Sequence, residues 1–569
     1  MRFRFDPLFY LTEEDLMFNK FKGFRWSALG LILCLIAASG CVKKAENELS
    51  FEISFPESIH PDSVTGRVYV MVAENKNREP RFQIGTSGVP FFGKDIQNLD
   101  PDIPVGIDES HFGYPLESLS ELPPGEYYVQ GFINIYTRFE RSDGHVLWLH
   151  NDQWEGQRWT RSPGNLYSEV KKIKCPPSKD SPIRLRCDHK IPPIEIPSDT
   201  KWVKRIKFQS KILTEFWGEP VYLGATILLP KGYEEHPDTH YPVNYIQGHF
   251  SLRAPNGFDP KKPDSNNRWA AYGHEFYKFW ISDECPRMIL VTFQHPCPYY
   301  DDSYGVNSPN TGPYGDAIIK ELIPTVEQKF RIIQKPYARV LSGGSTGGWI
   351  SLALQIFHPE FFGGTWSLCP DPVDFRYFQC IDIYNDENAY YKKSGWIKVP
   401  TASDRSPDGL VRLTSKQRNH MELAVGTKGR SGEQIDIFQA VFGPIGEDGY
   451  VKPLFDKKSG KIDPEVAEYW REHYDLRYYL EKKWDRIGQA LEGKIHIYVG
   501  DMDTYYLNNA VALMERFLES TQNPYYNGVV EYGDRRPHCW GPDRTELLKL
   551  FKEHILRNAP EGEVHSWIY

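Results

Sequence analysis

Ser345, Asp503 and His538 are residue types that together can carry out acyl transfer, and their order and surroundings single them out. A serine hydroxyl is a weak nucleophile until a histidine takes its proton. The histidine in turn needs a carboxylate to hold its tautomer and stabilise the imidazolium. Ser345 lies in Gly343-Gly344-Ser345-Thr346-Gly347, a G-x-S-x-G pentad. Gly343 and Gly347 tolerate the strained backbone and close packing required where a serine is presented on a sharp turn. The pentad by itself also fits an ordinary Gly-rich turn. The other two residues have bland alternatives as well. His538 is one of 17 histidines, most of which must be surface or packing residues. Asp501 and Asp503 share the segment Gly500-Asp501-Met502-Asp503, and either could cap the next helix or close a turn. We take Asp503 as the acid and keep Asp501 as its rival.

The elements needed to position these residues can be read from the pattern of apolar side chains. Residues 338–342 form a short buried strand before the pentad, and 349–357 carry apolar residues at helical spacing after it. Residues 494–499 are a second strand, ending at the two aspartates and followed by an amphipathic helix over 507–518. Residues 529–532 are a third, leading through 533–537 to His538 and a last helix over 545–556. Serine at a strand-to-helix turn, with acid and base on loops after later strands, is the arrangement of a nucleophile elbow and its partners.

Three stretches then carry a resemblance: Tyr241-Pro242-Val243-Asn244-Tyr245-Ile246-Gln247-Gly248, residues 314–331 (YGDAIIKELIPTVEQKFR), and the pentad with His358-Pro359-Glu360-Phe361-Phe362. Together they resemble the esterase D, or "putative esterase", branch of the α/β-hydrolases, over about 205–558 with an interruption near 370–490. The resemblance implies a serine-dependent carboxylic ester hydrolase working through an acyl-enzyme, on carbohydrate, aryl or siderophore esters. It also implies two oxyanion donors, the backbone N–H groups of Thr346 and His249. Fixed donors of this kind each supply about 3 kcal/mol to acyl transfer. The chain departs from the family in having Gln247 before Gly248, and Thr346 where a bulkier residue is common. The His249 ring is then a further candidate to touch substrate. An acyltransferase or peptidase on the same machinery is the alternative, and a non-catalytic binding lipoprotein with a hydrolase fold is the alternative of another class.

Composition bounds the partners. The chain has 569 residues and a net charge of −9, with no basic stripe to displace counterions from phosphates, so no nucleic-acid partner is expected. There is no H-E-x-x-H or paired C-x-x-C motif, and neither metal nor cofactor is expected. Lys20, Lys22 and Arg25 precede an apolar stretch at 28–37 and then Ala38-Ser39-Gly40-Cys41, which resembles a bacterial lipobox. That likeness implies a signal peptide over 1–40, with translation starting at Met17 as an option, and lipidation of Cys41. The product would be exported and anchored to a cell-envelope membrane. Of nine cysteines, Cys175 and Cys187 bracket a loop and are the expected disulfide, with Cys539 a small buried thiol or a tie on the loop of His538.

The remaining organisation is expected as follows. Residues 41–200 hold short alternating strands, among them 51–55, 67–72 and 127–135, and fit an all-β immunoglobulin-like sandwich ending in the Pro-rich linker 191–197. Trp148, Trp154 and Trp159 in this region could stack on sugars, although a structural role is preferred. Residues 201–560 are the α/β-hydrolase, with strands at 222–229, 288–292 and 364–368. The insertion at about 370–490 lies above the carboxyl ends of the strands, where α/β proteins bind ligands, and is expected to cap Ser345. Asp371, at its start, is a possible substrate contact.

Overall fold

The computed structural model describes residues 49–569 except 153, 157, 178–181, 264–266 and 300–301. The segment that resembles a lipobox, with Cys41, lies outside the described residues. Among those described, no helix is long and apolar enough to cross a membrane.

An eight-stranded sheet organises the second half of the chain: β1 (Val203–Gln209), β2 (Tyr222–Leu228), β3 (Val243–Gln247), β4 (Ile289–Gln294), β5 (Arg339–Gly344), β6 (Gly364–Leu368), β7 (Ile495–Gly500) and β8 (Val529–Gly533). The spatial order is β1-β2-β4-β3-β5-β6-β7-β8. β2 runs antiparallel to both of its neighbours, and every pairing from β4 onward is parallel. The inner parallel strands, β3 to β7, are largely buried on both faces, which is why they carry near-continuous apolar runs that include Tyr245, Val291, Leu341 and Ile497 instead of alternating. This order and sense are those expected of the sheet in residues 201–560. Helix α1 (Thr346–Phe357) leaves β5 directly, and all its residues except the last are buried.

The segment between β6 and β7 holds two small antiparallel ribbons, at 391–400 and 402–414, followed by α2 (Ser415–Val425) and α3 (Gln434–Phe442). Residues 464–491 form two helices, Pro464–Tyr474 and Leu476–Leu491, because Asp475 caps the second through Tyr478 N. After β7 come α4 (Leu507–Ser520) and, after β8, α5 (Arg544–Asn558).

The N-terminal region has two sheets. A three-stranded sheet (183–186, 51–54, 105–107) and a larger one built on Val64–Ala73 and Gly125–Ile135 share one apolar core that includes Phe51, Val68, Val129 and Leu185. The larger sheet turns its other face, through Tyr69, Met71, Phe91 and Phe132, to Met421, Ala424 and Val425 of α2. Charged groups frame that contact. Arg67 donates to Ala424 O at 3.0 and 3.3 Å and pairs with Asp95, which also holds Arg430 at 2.9 Å. Residues 191–200 carry neither helix nor strand, and packing links the regions on either side of them. Phe139, Leu147 and Leu149, from the ribbon 137–149, are members of the core around the eight-stranded sheet, with Phe139 5.1 Å from the Trp217 ring.

The disulfide expected between Cys175 and Cys187 is not formed. Cys175 and Cys187 are buried free thiols, and burial pushes both up from the ordinary thiol range. Cys369 and Cys539 form the disulfide instead. Two of the three tryptophans are not displayed for stacking on sugars: Trp154 and Trp159 are buried, Trp159 against Tyr69 and Trp154 against Phe250, while Trp148 is half-buried.

Candidate active site

β5 delivers Ser345 to the carboxyl end of the sheet, where the chain must reverse into α1 within one residue. Ser345 takes φ 58° and ψ −124° to do so, a conformation costing about 1–3 kcal/mol that the surroundings hold in place. Its N–H donates to Leu368 O at 3.0 Å, and its carbonyl accepts from Trp349 N at 3.1 Å and Asp371 N at 3.3 Å. The flanking glycines are required by close approach. A Cβ on Gly347 would lie 2.1 Å from Gln247 O, and one on Gly343 would lie 2.3 Å from Gly347 O. The elbow is thus wedged against the end of β3, which carries the Gly248-His249 turn.

Asp503 and His538 meet at the ends of β7 and β8. His538 Nδ1 is 2.7 Å from Asp503 Oδ2. The other carboxylate oxygen accepts from Tyr505 N at 2.9 Å and Leu507 N at 3.3 Å, so a fully buried carboxylate has both oxygens satisfied. Arg405, from the ribbon 402–414, braces this loop by donating to the backbone carbonyls of Asp503 and Asp501 at 2.9 and 3.2 Å. Asp501 itself shares no hydrogen bond with His538. Tyr505 sets its ring edge against the imidazole, with centroids 4.8 Å apart.

The disulfide brings the two halves of the site together. Cys369 follows β6 and donates its N–H to Tyr498 O of β7, while Cys539 is the residue after His538. Cys369 Sγ lies 3.2 Å from Ser345 N and 4.0 Å from His538 Nε2. The half-buried Ser345 and the imidazole therefore face the same disulfide, with His538 Nε2 directed toward the elbow side and Nδ1 held by Asp503. Cys369, His538 and Cys539 offer three ligand-type atoms within 4.8 Å, but both sulfurs are spent on the bond to each other.

The other sequence candidates group around Thr346. Thr346 is the first residue of α1, where a backbone N–H has no intrahelical acceptor. His249 extends from the β3 turn, its Nδ1 2.8 Å from the buried Asp302 carboxylate and its Nε2 3.5 Å from Thr346 Oγ1. Asp302 was not legible beforehand, since nothing in its local sequence marks it.

Asp371, the candidate substrate contact, follows β6 and lies beside the elbow. Its side chain is buried, and Oδ2 accepts from Tyr304 O–H at 2.8 Å and Thr346 Oγ1 at 2.9 Å. Burial raises its pKa, opposed by those two hydrogen bonds. Gln434, at the start of α3, donates to Tyr304 O–H and completes the network. Asp371 is thus placed to support the first turn of α1 from beneath.

The family described as "Putative esterase" matches residues 222–527, more than half of the chain. No curated protein matches. Among solved structures, an S-formylglutathione hydrolase from Agrobacterium tumefaciens is 13% identical, covering 64% of this chain and 99% of its own, with TM-score 0.33. A ferulic acid esterase from Anaeromyces mucronatus is 14% identical, covering 63% and 92%, with TM-score 0.26. A fluorophosphonate-binding serine hydrolase of Staphylococcus aureus is 13% identical, covering 62% and 97%, with TM-score 0.31.

Proposed function

The chain belongs to the putative esterase family and is a serine esterase, and from that premise we propose that Ser345, His538 and Asp503 are its catalytic triad. The observation that carries the reading is the 2.7 Å contact of His538 Nδ1 with a buried carboxylate whose other oxygen is already satisfied. That pairing leaves Nε2 to accept the serine proton. Ser345 Oγ attacks the ester carbonyl and its proton passes to His538. The tetrahedral oxyanion is held by the N–H groups of Thr346 and His249, and the imidazolium protonates the departing alcohol. Water, deprotonated by the same histidine, then releases the acid from the acyl-enzyme. Treatment with a fluorophosphonate followed by peptide mass spectrometry should place the adduct on Ser345. An adduct on another serine would remove Ser345 from the role.

The segment 370–490 is proposed as a cap that selects the ester. Three separate parts of it support this: Asp371 under the elbow, Arg405 on the acid loop and Gln434 on Tyr304. The tip of the ribbon 402–414 also comes near the acid loop, a Cβ on Gly409 standing 3.8 Å from Met502 Cε. Two variants separate support from selection. Asp371→Asn should lower kcat about tenfold on every ester, p-nitrophenyl acetate included, as expected when a hydrogen bond worth about 1.4 kcal/mol that positions the nucleophile is weakened. Shortening the 407–410 tip should change kcat/KM among bulky esters and spare p-nitrophenyl acetate, which uses little remote binding energy. Equal losses on all esters from the second variant would show that the ribbon is only a brace.

The N-terminal region, with two sheets over one core, fits an immunoglobulin-like sandwich within the proposed domain 41–200, and its packing on α2 suits a brace for the cap. Export with a lipid on Cys41 is proposed from the lipobox residues alone. Mass spectrometry of the mature protein should find chain beginning at an acylated Cys41, and an unmodified Cys41 in a soluble product would refute the anchor.

A further inference from the structure

On a chain of net charge −9, the ribbon 391–400 is unusual. Strands Tyr391–Ser394 and Ile397–Pro400 pair with Lys392 opposite Val399, Lys393 opposite Lys398 and Ser394 opposite Ile397. Apart from the half-buried Tyr391, every residue of both strands is exposed. Alternation puts Ile397 and Val399 on one face with Lys392, and Lys393 with Lys398 on the other. The turn is Gly395-Trp396, with Gly395 at φ 60°. Trp396 is fully exposed at 104%, Ile397 at 63% and Val399 at 43%. Beside the ribbon lies a groove of about 880 Å³ lined by Lys392, Lys393, Lys398 and Lys461, with Asp386 and Glu387 the acids among them. Asp386 pairs with Lys392 at 3.1 Å, and among the described residues neither Lys393 nor Lys398 has an ion-pair partner.

A two-stranded ribbon is marginal in water on its own, and a protruding Trp-Ile tip is an aggregation liability unless something covers it. Lysines along an edge can serve merely to discourage strand pairing, but that does not account for the tryptophan. The charge pattern discriminates between occupants. A second copy seated on the ribbon would bring Lys393 and Lys398 against lysines of the same ribbon, a like-charge contact. A bilayer with anionic headgroups offers the opposite sign, an interface favourable to tryptophan, and room for lysine stems to lie along apolar surface while their ammonium groups stay in water.

We infer that the ribbon 391–400 docks the protein on an anionic phospholipid surface, with Trp396 and Ile397 entering the headgroup region and the lysine groove receiving lipid phosphates. Only Thr401 separates this ribbon from the strand Ala402–Arg405, whose Arg405 braces the acid loop, so docking would hold the rim of the site near the lipid.

The test uses the full chain with vesicles of brominated phosphatidylcholine, prepared with and without phosphatidylglycerol. The difference in emission between wild type and Trp396→Phe isolates Trp396, whatever else of the chain touches the vesicle. On phosphatidylglycerol vesicles that difference signal should shift to the blue and be quenched by bromine, and added salt should reverse both changes. Replacing Lys393 and Lys398 by Ala should raise the lipid concentration for half-quenching on the order of 30-fold, given the attraction of each lysine to an anionic surface. These variants should keep the wild-type melting temperature and p-nitrophenyl acetate hydrolysis, which excludes unfolding as the cause. A Trp396 signal unchanged by vesicles, or equally quenched on neutral vesicles, would overturn the inference. So would sedimentation showing a dimer that Trp396→Ser converts to monomer, since a second copy would then be the occupant.

Discussion

Ser345→Ala and His538→Ala should each lower kcat for ester hydrolysis on the order of 10⁶-fold, and the double variant should be scarcely worse than either one. The near-equality matters more than the size. Nucleophile and base act as one unit, so removing either leaves only the oxyanion donors and binding, a residue of about 10³–10⁴ over water. Single-turnover assays on p-nitrophenyl acetate would measure it, with circular dichroism to confirm that the fold persists. Clearly additive losses would mean that His538 acts on something other than Ser345. Full activity in Ser345→Ala would displace the nucleophile altogether.

Asp503→Asn should cost on the order of 10⁴ in kcat, whereas Asp501→Asn should cost little. An amide at 503 can still meet His538, but it favours the wrong tautomer and cannot stabilise the imidazolium. The buried position sharpens the contrast. Asp503 Oδ1 is committed to Tyr505 N and Leu507 N, so an asparagine would have to orient its oxygen there and present its NH₂ to Nδ1. Asp501 lies two residues away without a bond to that ring. Comparing kcat for the two variants over a pH series checks this, and a reversed ranking would transfer the role to Asp501.

What could be read beforehand was whatever a few neighbouring residues determine. The elbow announces itself because strand, Gly-rich turn and helix are contiguous, and the strands ending at Gly500 and Gly533 were found with their bounds off by about a residue. Asp501 and Asp503 could not be separated by pattern, since both stand in the same turn. Only the direction each side chain takes from that turn distinguishes them. Asp302 and Tyr304 escaped notice because their partners, His249, Thr346 and Asp371, come from three other strand ends. The same holds for the disulfide. Cys175 and Cys187 are close in sequence yet remain apart as thiols, while Cys369 and Cys539 are 170 residues apart and are joined because β6, β7 and β8 are neighbours in the sheet. The ribbon 137–149 shows a related limit: its apolar residues suit a sandwich strand, and nothing local reveals that they enter the other core.

The Cys369–Cys539 bond closes a covalent ring around the insertion, the acid strand and Asp503. A protease that cuts once anywhere between them, with the exposed ribbon at 391–400 the obvious place, cannot release a fragment. The piece bearing Ser345 and the piece bearing His538 stay linked through the sulfurs beside both residues. A nicked chain would run as one band on a gel without reductant and as two with it, and it could keep hydrolysing esters until a thiol separates the halves.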